Sequence, residues 1–215
     1  VTTNRRALTT ALALMLAVVT ISALVALIPS KPDIVEGTAV AAAVLDDPGS
    51  PAFGPRDADV TVVDFSDYQC GPCKEVEPAF ERTIAADGRV RVIYKDWAAL
   101  GPASKTEAEI ALAAERQGRY LAVHQALMRS RARVSPETLR ALVIGAGADW
   151  PRLTSDLARD RNAIDVQLSR HAFQAWSLGL QGPPAYLVGP YLVRGRLSEV
   201  SLRGLIHKAR RRPRG

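Results

Sequence analysis

The sequence predicts an α/β protein whose sheet is interrupted by an inserted all-helical stretch and preceded by an N-terminal transmembrane helix. Three observations carry this. A strand–helix–strand pattern occupies residues 60–95, an alanine- and leucine-rich stretch with helical periodicity follows, and strand-like runs resume at Tyr186. With 215 residues, 47% hydrophobic and 23% charged, the chain can bury a core and is too apolar to remain disordered.

After Arg5 and Arg6 no charged side chain appears from Ala7 to Ser30. As a helix those 24 residues extend roughly 36 Å, enough to cross a hydrocarbon core of about 30 Å. Residues 1–30 therefore read as a membrane anchor, with 7–29 as the span. A cleaved export signal is the alternative, but its apolar region normally runs about 7–15 residues, and the small-x-small site Ala39-Val40-Ala41 lies well past Pro29. The two arginines place residues 1–6 in the cytoplasm and the rest in the periplasm or cell exterior, an oxidising setting.

Residues 31–56 read as a linker, broken by Asp47-Pro48-Gly49-Ser50-Pro51 and Gly54-Pro55, with a short alanine-rich helix allowed over Thr38–Leu45. The folded body begins at 57. Val60–Phe65 is a β-branched, mostly apolar run of the kind that makes a buried strand, Cys73–Ala86 has helical spacing, and Val90–Lys95 is a second strand. That order suggests a parallel sheet with a crossover helix. Residues 103–178 read as four or five packed helices, punctuated by Gly118, the cap-and-proline pair Ser135-Pro136, Gly145, Gly147 and Pro151. Residues 179–211 return to the sheet through a Tyr186–Val188 and Tyr191–Val193 hairpin and close on the helix Glu199–Arg210, with 212–215 a basic tail.

The formal charge of +6 does not point to nucleic acid. Seven of the 28 basic residues lie in residues 1–30 and 207–215, which carry no acid, leaving 21 basic against 22 acidic in between. The terminal group reads as a solvated tail or a contact to anionic head groups.

The two cysteines form Cys70-Gly71-Pro72-Cys73, after a strand and at the start of a helix. There the unpaired N–H groups and the positive end of the helix dipole stabilise a thiolate on Cys70, the form that attacks disulfides. Cys73, one turn further in, is placed to resolve a mixed disulfide. Gly71 is expected to let the loop turn tightly and Pro72 to restrict it. A purely structural bridge is the weaker reading, since closing a four-residue loop contributes only about 2 kcal/mol. A metal site lacks further ligands nearby, because His124, His171 and His207 are scattered, and His124 in YLAVHQAL reads as a packed core residue. Asp64, six residues before Cys70, falls in the buried strand. There its pKa would rise and it could take the proton of Cys73, although a carboxylate in a strand-end turn is the plainer alternative. Pro78 sits inside the predicted helix and is expected to kink it.

The segment VDFSDYQCGPCKEVEP resembles the active-site region of the thioredoxin superfamily, at Asp64, Cys70, Gly71, Pro72, Cys73, Lys74 and Pro78. Gln181–Gly189 resembles the family's cis-proline motif, with Pro184 at the cis position. Between Cys73 and Pro184 lie 110 residues, where a strand–helix–strand passage needs on the order of 30. That surplus resembles the DsbA-like branch, including its membrane-anchored and ScsC-like members. The resemblance implies a thioredoxin fold with an inserted all-helical subdomain. It also implies a thiol-disulfide oxidoreductase acting on protein thiols and disulfides, with a membrane redox partner and no cofactor. Catalytic roles fall to Cys70, Cys73, Asp64 and Pro184, and substrate contact to Gly71, Pro72 and Pro183.

Two departures stand out. The dipeptide between the cysteines is Gly-Pro, as in thioredoxin, not the Pro-His of DsbA. Those proteins differ by about 150 mV, or about 7 kcal/mol, so a weaker oxidant than DsbA is expected. Pro183 precedes the presumed cis-proline where the family usually has threonine, valine or isoleucine, and its missing N–H removes one backbone bond to substrate. A dedicated reductase for cytochrome or copper-site assembly is the alternative within this chemistry, and a Cu(I)-binding chaperone the alternative outside it.

Overall fold

The computed structural model describes residues 15, 32–35, 38–130 and 134–212. The predicted span at 7–29 lies outside the described residues apart from Met15, and among the described residues no helix is long and apolar enough to cross a membrane.

The buried strand β3 (Val60–Ser66) lies at the centre of a six-stranded sheet with β4 (Val90–Asp96) beside it in parallel, joined by the helix α2 (Gly71–Asp87). Both faces of this strand pair are covered, which accounts for near-continuous apolar runs rather than alternation. Val60 and Val62 enter the core beneath α2, and Val63 and Phe65 enter the core of the opposite face. The remaining pairings are antiparallel. β5 (Ala185–Val188) returns against β3, and β6 (Tyr191–Arg194) follows across a two-residue turn. The sheet is therefore mixed, and the expected parallel arrangement holds only for β3 and β4. At the β5–β6 turn Gly189 takes φ +53°, and a Cβ there would lie 2.9 Å from Ala209, so the close approach of the last helix requires glycine.

Of the expected linker 31–56, the described residues 32–35 and 38–56 are not a free tether. β1 (Asp33–Ile34) pairs with β6 at one edge, and β2 (Ala52–Phe53) pairs with β4 at the other. Between them α1 (Ala39–Leu45), capped by Thr38, buries Ala41 and Val44. Two-residue outer strands protect the sheet edges from further pairing. The segment is also fastened by charge. Lys95 on β4, with no exposed side-chain surface, donates from Nζ to Asp47 Oδ2 at 2.6 Å and to Ser50 Oγ at 2.9 Å. Burial alone would raise the Asp47 carboxyl, but the Lys95 ammonium and Arg170 hold it well below the usual carboxylate range. The Pro-, Gly- and Ser-rich composition that suggests a tether instead shapes a strap.

The helical stretch comprises α3 (Pro102–Ala114), a 3-10 turn at Glu115–Gln117, α4 (Tyr120–Arg129), α5 (Pro136–Gly145) and α6 (Trp150–Ser177). It does not stand apart from the sheet. The C-terminal part of α6 and its C-cap, Leu178, place Ala172, Ala175 and Leu178 against the core formed with Val63, Phe65 and Leu187. The final helix α7 (Glu199–Arg210) includes Lys208 and Arg210. Arg210 donates to Asp59 and Asp87 at 2.7–3.2 Å, so the basic cluster is partly docked rather than wholly solvated.

Candidate active site

The site is built where β3 ends. Asp67, in the turn that follows, is buried and accepts four hydrogen bonds. Its donors are the N–H groups of Gln69, Ala99 and Leu100 and the Ser104 hydroxyl, all at 2.7–3.0 Å. This ties the cysteine loop to the segment after β4 and fixes where α2 starts. Cys70 is the N-cap of α2, and its Sγ accepts the Cys73 N–H at 3.1 Å. The two sulfurs are bonded, with Cα atoms 5.2 Å apart. Both cysteines are buried, Cys70 at the N-cap of the helix and Cys73 one turn further in. In the dithiol state the N–H that Cys70 Sγ accepts and the helix dipole would favour its thiolate.

Gly71 begins the helix without a positive φ, and nothing lies within 4 Å of where its Cβ would be. The expectation that it permits a tight turn is corrected: the position is open, and a side chain there would point into free space. A groove of about 540 Å³ opens beside it, lined by Gly71, Lys74, Glu75, Pro78, Met128 and Arg129. Lys74 reaches across to the Ser130 carbonyl at 2.6 Å, and burial lowers its pKa. Met128, on α4, comes to the same groove as Gly71, a neighbour that linear spacing does not reveal.

Pro184 lies at the same end of the sheet. Ala185 pairs with Phe65 on β3, and the Pro184 carbonyl accepts the Gly195 N–H at 2.9 Å. The Pro183–Pro184 peptide is cis, Pro184 is buried and Pro183 half-buried.

Asp64 is fully buried on the sheet face covered by α2, directly opposite Tyr186 of β5. Neither carboxyl oxygen has a well-formed hydrogen bond, although the Ser66 hydroxyl two residues along β3 favours the charged form. Burial pushes its pKa up, Glu77 adds repulsion, and His124 opposes both. Glu77, one turn after Cys73 on the same buried face of α2, and His124 of α4 complete a cluster whose ligand atoms lie within 4.8 Å of one another. His124 Nε2 is 3.3 Å from Glu77 Oε1, and its Nδ1 is 3.0 Å from the Tyr68 hydroxyl. Tyr68 and Tyr120 both donate to Asp96 Oδ1, at 2.8 and 3.0 Å. Asp96 is pushed up to about 6, mainly by burial.

Among the described residues these three are the group able to hold a metal ion together. With all three buried and His124 already at hydrogen-bond distance from Glu77, the set fits a shared proton better than a cation that must shed its water. Sequence reasoning found Asp64 and missed the other two. Glu77 carried a signal, an acid four residues after Cys73 on a helix face continued by Phe80. His124 carried none, because its partners come from α2 and the Tyr68 turn.

A family model described as Thioredoxin matches residues 46–208. A thioredoxin-like oxidoreductase from Silicibacter pomeroyi is 30% identical, covering 80% of this chain and 98% of its own, with a TM-score of 0.74. The thiol-disulfide exchange protein alpha-DsbA2 from Wolbachia pipientis is 25% identical over 78% of this chain and 90% of its own, also at 0.74. A periplasmic thioredoxin-like protein from Salmonella enterica serovar Typhimurium is 27% identical over 80% and 95%, at 0.68. Among curated proteins, the Na(+)/H(+) antiporter NhaA 3 of Salinispora tropica is 28% identical over 170 residues, 75% of this chain. This chain spans only about a quarter of that relative's length, 26%.

Proposed function

This chain belongs to the thioredoxin family, in its DsbA-like branch, and from that premise we propose that it exchanges disulfides with protein substrates through Cys70 and Cys73, outside the cytoplasm. The observation that carries the reading is the bonded Cys70–Cys73 pair at the N-terminus of α2, with Cys70 Sγ accepting the Cys73 N–H. In the oxidising direction a substrate thiolate attacks Cys70 Sγ, and Cys73 leaves as thiolate and is protonated. In the reverse direction Cys70 thiolate attacks a substrate disulfide, and Cys73 then displaces the substrate. Asp64 takes and returns the Cys73 proton. Pro183 and Pro184 flank the substrate segment, which receives no backbone N–H from Pro183.

An extracytoplasmic, membrane-anchored setting is supported by the charge-free stretch after Arg5 and Arg6 and by the periplasmic relative from Salmonella. The match to part of an antiporter is consistent with it. The Gly71-Pro72 dipeptide favours a couple less oxidising than DsbA, so service as a reductase or isomerase is the second reading. Thiol trapping in intact cells separates them: a mostly bonded pair supports oxidation of substrates, a mostly free pair reduction. The reading itself is tested with Cys73→Ser, which should accumulate mixed disulfides with partner proteins through Cys70. Absence of such adducts, when a Cys70→Ser, Cys73→Ser double variant serves as the blank, would remove Cys70 as the exchanging thiol.

A further inference from the structure

The hydrogen bonds around Asp64, Glu77 and His124 leave one proton to be placed. The Tyr68 hydroxyl has a single hydrogen and gives it to Asp96 Oδ1 at 2.8 Å. At 3.0 Å from His124 Nδ1 it can then only accept, so Nδ1 carries a hydrogen. The other ring nitrogen faces Glu77 Oε1 at 3.3 Å, and a hydrogen bond there needs one more proton, on Nε2 or on the carboxyl. A glutamate and a histidine on adjacent helices, 2% and 0% exposed, therefore share a proton in a dry site. Asp64 lies within 4.8 Å of both, with neither oxygen in a well-formed hydrogen bond.

We propose that His124, kept as an imidazolium by Glu77, is a positioning residue for the resolving step: its charge lets the buried Asp64 carboxyl accept the proton of Cys73. The inference rests on the exchange reaction proposed above. In the mixed disulfide of Cys70 with a substrate sulfur, the Cys73 thiol passes its proton to Asp64. The Cys73 sulfur then forms the S–S bond to Cys70 Sγ, and the bond to the substrate sulfur breaks, that sulfur leaving as thiolate with the electron pair. Electrons balance within the three sulfurs, and no outside oxidant enters.

The charge on Asp64 that appears when its proton is released would otherwise be stranded in low dielectric beside Glu77. An imidazolium within the cluster offsets it. The directions agree: Glu77 and Asp96 raise Asp64, while His124 and, after it, the Ser66 hydroxyl lower it. The other titratable groups facing the cluster are Tyr94 and Asp96 of β4, Tyr120 of α4, Tyr186 of β5 and Tyr68, with Glu81 of α2 acting on Tyr94. Burial raises every one of the tyrosines, so they stay neutral and leave His124 as the cation that can balance Asp64.

The test uses the full chain in detergent, reduced and then mixed with excess glutathione disulfide, with the rate of closure from the Cys70–glutathione adduct followed against pH. His124→Gln and His124→Asn each preserve one of the two hydrogen bonds, and neither carries a charge. Both should move the closure profile to higher pH by about 1 unit, a roughly tenfold slowing at neutral pH. In an Asp64→Asn background neither should move it further. A shift in only one of the two variants, or an equal shift without Asp64, would mean that His124 acts through packing and would overturn the proposal. The wild-type chain gives an independent reading. The ¹⁵N shifts of His124 should report an imidazolium at pH 7, and a neutral ring there overturns the proposal whether or not any variant folds. If no glutathione adduct forms on Cys70, the exchange reaction fails instead, and the ring's protonation still decides the inference about His124.

Discussion

Replacing Asp47 with asparagine is expected to destabilise the fold by about 3 kcal/mol. The amide keeps the shape of the carboxylate but leaves the Lys95 ammonium, 0% exposed, with no counter-charge. Asp47 Oδ2 is the acceptor for Lys95 of β4 at 2.6 Å and for Arg170 and Gln174 of α6 at 3.0 and 3.3 Å, so one substitution weakens three bonds that hold residues 38–53 to the sheet and to α6. Removing one partner of a buried pair costs about 3–5 kcal/mol, and the lower end applies because Arg170 is 39% exposed and brings water to the rim of the site. Urea unfolding of the full chain in detergent, compared at a common slope, measures the loss. A companion variant sharpens it. Asp47→Asn combined with Lys95→Met removes the stranded charge and should return to within about 1 kcal/mol of the parent. A loss under about 1 kcal/mol in the single variant, or a double variant no more stable than the single, would refute the assignment of the strap to this pair. Because the Asp47 carboxyl is held below its ordinary range, its contribution is complete at neutral pH and is lost only as the pH falls through that depressed value.

Further expectations concern the cysteine site. In the oxidised protein Asp64, Asp96 and His124 are all pushed up and together outweigh His171, which burial pushes down to about 3, so between about pH 5 and pH 8 the folded state binds more protons than the unfolded one. Stability should therefore fall between about pH 5 and pH 8, and Asp64→Asn should flatten that slope, as seen by thermal unfolding across pH. The reduction potential of Cys70–Cys73 should lie below about −150 mV, and exchanging Gly71-Pro72 for Pro-His should raise it, both measured by equilibration with glutathione. Gly71→Ala should leave stability within about 0.5 kcal/mol of the parent, since its Cβ meets nothing; a larger loss in denaturant unfolding would show that the position is constrained. In the reduced state Cys70 should titrate below the roughly 8.5 of a free cysteine, read from thiolate absorbance.

What could be read directly from the chain was local. The buried run VTVVDF, the proline-bearing start of α2 and the turn before Tyr191 follow from periodicity and from the conformational limits of proline and glycine, which act within a few residues. The same holds for Cys70 and Cys73, whose chemistry comes from being one turn apart at a helix start, and for Asp64, an acid in an apolar strand. Residues 31–56 were misleading for the same reason. Proline, glycine and serine report that no long regular element forms, but not whether the segment lies against a sheet edge, which β4 and β6 decide from far along the chain. Which acid would be left without a well-formed hydrogen bond, and which histidine would share a proton with Glu77, depends on α2, α4 and β4 meeting in one dry space. A lone His124 in YLAVHQAL looks like packing because its partners, Tyr68 and Glu77, are 56 and 47 residues away. The sequence by itself determined the redox pair and the secondary structure that presents it. The tertiary structure decided the charge environment of that pair, because burial and through-space contact set the energy of a proton, and neither is a property of neighbours along the chain.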